Sequence, residues 1–234
     1  MPNWCFNRIT VSGDQSALIA FDKAFKGKHA YWGLPEYEKI GKTDKEIEAL
    51  KIAYKNDYDK EPPCYCLNAL YPVPEEVIKV GYDKPVTPSF KEFKEGKNFD
   101  DKFDAKGELR TLIDPDCWVD GHSWCCSHWG TKWDIVDVCV TKGDKHSKKY
   151  IYEFETAWSP PLPFLSYISE TWRLIFEIEY TEPGMCFAGH GKVVNGEILK
   201  DEYYSVGIDK KEKYVNFVKK HFGYDPSSFE EVPY

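Results

Sequence analysis

Residues 133–179 decide the fold: WDIVDVCVTKGDKHSKKYIYEFETAWSPPLPFLSYISETWRLIFEIE. Val136, Val138 and Val140 alternate with Asp137 and Cys139, the period-two pattern of a half-buried strand. Gly143-Asp144 marks a turn. Tyr150, Tyr152 and Phe154 then alternate with Ile151, Glu153 and Glu155, so a second strand folds back on the first. Ser159-Pro160-Pro161 predicts a helix start, with Ser159 as cap and Pro160 at the first helical position. Leu162, Leu165, Ile168 and Trp172 supply that helix with an apolar face. Leu174, Phe176 and Ile178 against Glu177 and Glu179 predict another strand.

Toward the N-terminus, Cys5, Ile9 and Val11 fall on one face of a strand, and Arg8 and Thr10 on the other. Asp14 can cap the helix carried by Ala17, Leu18, Phe21 and Phe25. Residues 27–128 then break the pattern as a long insertion. Inside it, Thr43-Asp44-Lys45-Glu46 is a capping-box signature. Ile47, Leu50, Tyr54 and Tyr58 share one helical face behind it, expected to cover the chain's own domain, and Pro62-Pro63 ends the helix. Leu67 to Val77, with Pro72 and Pro74, reads as an extended run into a short turn of helix. Residues 81–108, with Pro85 and Pro88, read as a partly mobile loop excursion. Toward the C-terminus, Phe187 to Val194, Asn195-Gly196 and Glu197 to Ile208 predict a hairpin. Asp209 caps a last helix lined by Tyr214, Phe217, Val218, His221 and Phe222 and ended by Gly223.

Strand, helix, insertion, strand, strand, helix, strand is the split βαβ order. The fold class expected is α+β, with a ferredoxin-like βαββαβ core, a long insertion after the first helix, and a C-terminal β-hairpin plus helix. The expectation is a single domain over 1–234. Its core is 1–26 and 129–182, its insertion 27–128, and its C-terminal addition 183–234. If the apolar parities face the helices, Glu153, Glu155, Glu177 and Glu179 face away, around Arg8 and Thr10. RNA-binding domains of this topology carry stacking aromatics on that face instead, so RNA reading through the sheet is not expected.

The 234 residues suffice for one large domain. The 8 Trp, 16 Tyr and 14 Phe against only 2 Met mean that rings fill much of the core. A net charge of −8 argues against a duplex-DNA binder, which needs a basic face. Lys142, Lys145, Lys148 and Lys149 lie between two strand patterns and read as a solvated turn. No secretory signal opens the sequence and no stretch approaches a membrane span. The expected location is therefore cytoplasmic and the 8 cysteines are expected to be thiols.

Four stretches carry a family resemblance. They are Met-Pro-Asn-Trp-Cys-Phe-Asn-Arg-Ile-Thr-Val-Ser-Gly at 1–13 and Leu-Asn-Ala-Leu-Tyr-Pro-Val-Pro-Glu-Glu-Val at 67–77. The third is His-Trp-Gly-Thr-Lys-Trp-Asp at 128–134. The fourth is Thr-Ala-Trp-Ser-Pro-Pro at 156–161, followed by Glu-Pro-Gly-Met-Cys-Phe-Ala-Gly at 182–189. In this order they resemble the YubB ferredoxin-like family of phages, plasmids and prophage-bearing bacteria. The resemblance implies the fold and a mobile-element origin, and no activity or catalytic residue. The helix at 43–60, the excursion at 81–108 and the C-terminal helix stand outside it.

In this topology the residues before the second core strand and after the third share one end of the sheet. Trp129, Lys132, Trp133, Asp134, Trp158 and Ser159 are therefore expected together. Aromatic walls with one cation and one carboxylate suit a planar anionic ligand or a partner loop. The competing reading is that the tryptophans pin the insertion onto the sheet end. Cys64-x-Cys66, Cys117, His122 and Cys125-Cys126-x-His128 raise zinc, but their spacings match tetrahedral ligand pairs poorly, so no metal or other cofactor is expected. Cys125 or Cys126 with His128 or His122 is a conceivable nucleophile pair, without a recognisable oxyanion-hole turn. Gly184, Gly189, Gly191 and Gly196 make no phosphate-binding fingerprint.

The function expected is a non-enzymatic accessory protein of a phage or mobile element that binds a host protein. The alternatives are a protein sequestering a nucleotide-like small molecule at the Trp cluster, and a cysteine- or metal-dependent enzyme.

Overall fold

The computed structural model describes residues 3–83, 120–143, 147–206 and 211–226. The excursion beyond residue 83, Cys117, Asp144 and Lys145 of the expected turn, and the Asp209 cap lie outside the described residues. In chain order the elements are β1 (Trp4–Ser12), α1 (Gln15–Ala24), β2 (Lys26–Gly27), α2 (Asp44–Lys60), β3 (Cys64–Tyr65), α3 (Leu67–Leu70), α4 (Glu75–Val80), α5 (Gly121–His128), β4 (Val136–Lys142), β5 (Lys149–Ala157), α6 (Leu162–Trp172), β6 (Ile175–Glu182), β7 (Phe187–Val194), β8 (Glu197–Ser205) and α7 (Lys211–Phe222). The chain divides into two compact units. One comprises Met1–His29, Pro62–Pro72 and Cys125–Tyr234, and the other Ala30–Glu61 and Val73–Trp124. The inserted segment is thus shared, because Pro62–Pro72 belongs with the sheet.

The first unit is built on a six-stranded antiparallel sheet in the order β4-β5-β1-β6-β7-β8. The second, third, first and fourth strands of the core lie side by side, which is the ferredoxin-like order, and β7 and β8 extend the β6 edge. The register follows the alternation of the sequence. Ile9 sits opposite Tyr152 and Ile178, and Arg8 opposite Glu153 and Glu179. The first set is buried with Leu18 and Phe21 of α1 and Leu165 and Ile168 of α6. Phe21 meets Tyr152, Trp172 and Phe176 edge-on, with ring centroids 5.5–5.8 Å apart. Aromatic edges thus fill the volume that methionine fills elsewhere.

A buried carboxylate closes this core. Asp22, at the core edge of α1, accepts hydrogen bonds from the Tyr65 hydroxyl at 2.8 Å and the Tyr152 hydroxyl at 3.2 Å. Lys142 of β4 donates to its other oxygen at 2.5 Å. Burial alone would raise the Asp22 pKa, but the lysine and the two phenols outweigh it and hold it below the ordinary value. Burial, and then Asp22 itself, push both phenols up, so they remain donors.

The other face of the sheet is partly roofed. Helix α7 lays Tyr214, Phe217 and Val218 against Ala188 of β7, with Tyr204 beside them. Phe217 stacks between His190, at 5.7 Å, and His221, at 4.3 Å. On the opposite side of β7, Gly189 leaves room for the Tyr180 ring. A Cβ there would lie 2.4 Å from the Tyr180 hydroxyl. The β7–β8 turn is Asn195-Gly196, both at positive φ (48° and 83°), as a two-residue hairpin requires.

The start of α6 differs from expectation. It begins at Leu162 with Pro161 as cap residue, three positions beyond Ser159. Trp158 adopts a left-handed φ of 73° and redirects the chain before the helix can start. Ser159 then donates its hydroxyl to the Gly130 carbonyl at 2.6 Å instead of capping the helix.

In the second unit the capping box forms as expected: Thr43 and Glu46 exchange both bonds at the start of α2. No residue of α2 is buried. Its stripe is half-covered by Tyr31, whose ring lies 4.8 Å from Tyr58 and 6.3 Å from Tyr54. Trp32 packs on Tyr82 at 5.4 Å and leaves no room for a side chain at Gly121. Among the described residues no helix is long and apolar enough to cross a membrane. The seven described cysteines are all free thiols.

The Asp22 network gives a stability prediction. Asp22→Asn leaves Lys142 unpaired and offers the phenols a weaker acceptor, so urea unfolding at neutral pH should show a loss of about 1.5–3 kcal/mol. Because the Asp22 pKa is lowered on folding, its contribution is present above the unfolded value and disappears as pH falls through the folded one. Wild type and variant should therefore converge in acid. An equal gap at every pH would exclude the charge as its source.

Candidate functional site

Three places could carry chemistry, all within the sheet-bearing unit. The first is the sheet end expected from sequence. Its six residues do not form one site. Trp129 is 1% exposed, and its indole N–H donates to the Tyr71 carbonyl at 2.9 Å. Asp134 is buried, and its carboxylate accepts the Leu67 N–H at 2.6 Å, the Ile135 N–H at 2.9 Å and the Asn68 N–H at 3.3 Å. Ser159 is spent on Gly130, as described. Those three hold the fold. Trp158 is 38% exposed, with the Lys132 ammonium 4.5 Å from its ring centre. Trp133 meets Trp4 edge-on at 6.3 Å. Trp4 is paired with Ala157 across β1 and β5, which places it at the same sheet end.

A second place is a cavity of about 340 Å³ on the outer face of the sheet, beyond the end of α7. Phe6, Phe222 and Tyr224 wall it, and Arg8, Asp137, Glu153 and Glu155 supply its charges. Arg8 is fully engaged. It donates to Glu153 at 2.8 Å and to the His221 carbonyl at 2.7 Å, with Glu179 at 3.5 Å. Its guanidinium also lies 5.8 Å from the Phe222 ring centre. Asp137 and Glu155 have no ion-pair partner among the described residues. Burial first, and then the charge of Asp137, push the Glu155 pKa up. The acidic face around one arginine was visible as strand parity. The cavity was not, because it needs a β-bulge: β4 slips register between Val136 and Cys139, with Asp137 at φ 53°.

The third place is a cluster of His29, Cys64 and Cys66, whose ligand atoms lie within 4.8 Å of one another. The Cys64 sulfur is 3.3 Å from His29 Nε2, and His29 Nδ1 is 3.2 Å from Asp134 Oδ2. The paired cysteines were noticed in the sequence, but their histidine was not, since it lies 35 positions upstream. The nucleophile candidates expected on α5 fare differently. Cys125 is fully buried, and Cys126 is exposed.

Comparison with known proteins adds the following. Residues 128–218 match the family model described as "Ferredoxin-like domain in Api92-like protein". No curated protein matches the chain. Among solved structures, the chain is similar to the protein api92 from Yersinia pseudotuberculosis, with a TM-score of 0.46 and 11% identity over 88% of this chain and 99% of that one.

The sheet end separates packing from surface, and the separation is measurable. Trp129→Ala should cost about 3–5 kcal/mol, as for other buried aromatics truncated to alanine. Trp158→Ala should stay within about 1 kcal/mol of wild type. Thermal unfolding of both variants checks this, and equal losses would contradict the division.

Proposed function

We propose that this chain is a non-enzymatic accessory protein of a phage or mobile element that acts by binding a host protein, seating a basic side chain of that partner in the outer-face cavity. The observation supporting this is the composition of the cavity. Three aromatic walls enclose two carboxylates, Asp137 and Glu155, that repel each other and have no cation of their own among the described residues. A lysine or arginine entering there would relieve the repulsion and gain the ring faces. The volume falls at the lower end of the range for small-ligand sites, about 300–1,000 Å³. The net charge of −8 would steer a basic partner toward the chain. The mobile-element origin rests on the four motifs alone.

A second reading keeps one specific observation, the exposed Trp158 with Lys132 over its ring. It would hold a nucleotide-like small molecule between Trp158 and the Trp4–Trp133 pair. A nucleobase absorbance that co-purifies with wild type and disappears in Trp158→Ala would favour this reading over the first.

The test of the first reading uses the full chain as bait in a host lysate, beside the double variant Asp137→Asn/Glu155→Gln. Wild type should capture a defined host protein, and the double variant at least about tenfold less, the order expected for losing a desolvated charge contact. The variant should melt no lower than wild type at neutral pH, because the raised Glu155 pKa means that ionising this group opposes folding there. Any gain should vanish in acid, where Glu155 is protonated in wild type too. Capture should weaken as pH falls through the raised Glu155 pKa, earlier than for an ordinary glutamate. Undiminished capture by the double variant would overturn the reading.

A further inference from the structure

We propose that His29, Cys64 and Cys66 form a binding site for a thiophilic divalent cation, best suited to zinc, with Asp134 as the residue that positions His29. The site is independent of the outer-face cavity, since none of its residues lines it. Zinc favours exactly this donor class, thiolate sulfur and imidazole nitrogen, in a tetrahedron. Its bond lengths place a sulfur and a nitrogen ligand ~3.5 Å apart and two sulfurs ~3.8 Å apart. The Cys64 sulfur and His29 Nε2 are 3.3 Å apart, and all three donor atoms fall within 4.8 Å. The cluster therefore needs only small side-chain adjustments to close on an ion.

The backbone explains why donors at unpromising spacing converge. Cys64 and Tyr65 form β3, paired with Lys26 and Gly27 of β2, and Cys66 continues extended at φ −154° and ψ 147°. Side chains two apart on an extended chain share a side. Cys64 and Cys66 therefore face together, while Tyr65 reaches Asp22 on the other side. The β2–β3 pairing sets Gly27 opposite Cys64, so His29, two residues beyond β2, lies just past Cys64, with its Nε2 3.3 Å from the Cys64 sulfur.

The surroundings fit a ligand set as well as the ligands do. His29 presents Nε2 to the sulfurs and Nδ1 to a buried carboxylate, the arrangement by which metal-binding histidines are commonly oriented. That carboxylate is fixed by three backbone N–H groups. A nucleophilic Cys64–His29–Asp134 relay would use the same histidine but would leave Cys66 without a role.

The experiment uses the tag-free full chain, with zinc and cobalt(II) as probes. Protein made with zinc should carry about one equivalent per chain, and cobalt(II) should give thiolate charge-transfer absorption. X-ray absorption of the zinc form should show two sulfur neighbours. Cys64→Ser and His29→Gln, both at partly exposed positions, should each bind at least tenfold more weakly. Asp134→Asn, which keeps all three ligands, should lose roughly 10–100-fold in affinity. Each melting temperature is measured metal-free, so that a folding defect is told apart from a lost ligand. Fewer than two sulfur neighbours, or no cobalt–thiolate band in wild type, would overturn the proposal. So would rapid, His29-dependent alkylation of Cys64 in protein that takes up no metal, since that would mark a nucleophile.

Discussion

The carboxylate of Asp134 is the hinge of the arrangement. It is 9% exposed and would be costly to bury without partners. Its partners are the first N–H groups of α3 and the N–H of Ile135. Helix α3 has no side-chain cap of its own at Cys66, so this carboxylate, from a distant part of the chain, satisfies orphan donors that the helix cannot. One anion therefore ties Pro62–Pro72 to the approach of β4. It also orients His29 and thereby sets the geometry around the two cysteines. The Trp129 indole bonded to Tyr71 makes a second tie to the same segment.

This explains what could be read from sequence and what could not. Strand order and facing were legible because both follow from period-two alternation around Cys5–Val11, Tyr150–Glu155 and Phe176–Glu179. A single slip of register would have turned Glu153 and Glu179 into the core. The capping box at Thr43 and the Asn195-Gly196 turn were legible because each is a local rule with a local cause. The Trp-rich sheet end was only half legible. Topology places Trp129, Asp134 and Trp158 near one end, but alternation stops before β4, so nothing local says which of them faces inward. Asp134 looked like a ligand group because a carboxylate beside a lysine and tryptophans suits recognition. Its partners include the backbone N–H groups of Leu67 and Asn68, 67 and 66 positions away, and backbone donors leave no mark on side-chain patterns.

The helix start shows a competing local rule. Ser-Pro-Pro is a sound helix signal, yet Trp158 at φ 73° turns the chain first, and the Ser159 hydroxyl donates to the Gly130 carbonyl rather than accepting from a helix N–H. That same turn leaves the Trp158 ring at the surface, although its parity with Tyr152 and Phe154 would place it in the core. A strand that ended one residue later would have buried it. The bulge in β4 acts in the same way on the outer face, since its extra residue places Asp137 beside Glu155. Both departures from regular pairing are where exposed chemistry arises.

Charge on the outer face is handled differently along its width. Over β6 to β8, helix α7 covers the sheet, and its acidic groups have partners: Glu179 takes His221 and Arg8, Glu177 takes Lys192, and Glu202 takes Lys200. Over β4, β5 and β1 the helix has ended, and among the described residues Glu153 has Arg8 while Asp137 and Glu155 have no ion-pair partner. Had α7 continued for another turn, Phe222 would have been an interior contact and the cavity would have been filled. Gly223, at φ 75°, ends it. Tyr224 then turns back toward Thr181, at 3.4 Å between hydroxyl oxygens. The helix supplies one aromatic wall, Phe222, the turn after it supplies a second, Tyr224, and the helix stops short of the carboxylates. Asp137 and Glu155, without an ion-pair partner among the described residues, are thus brought together by the bulge in β4 and left uncovered where Gly223 ends the helix.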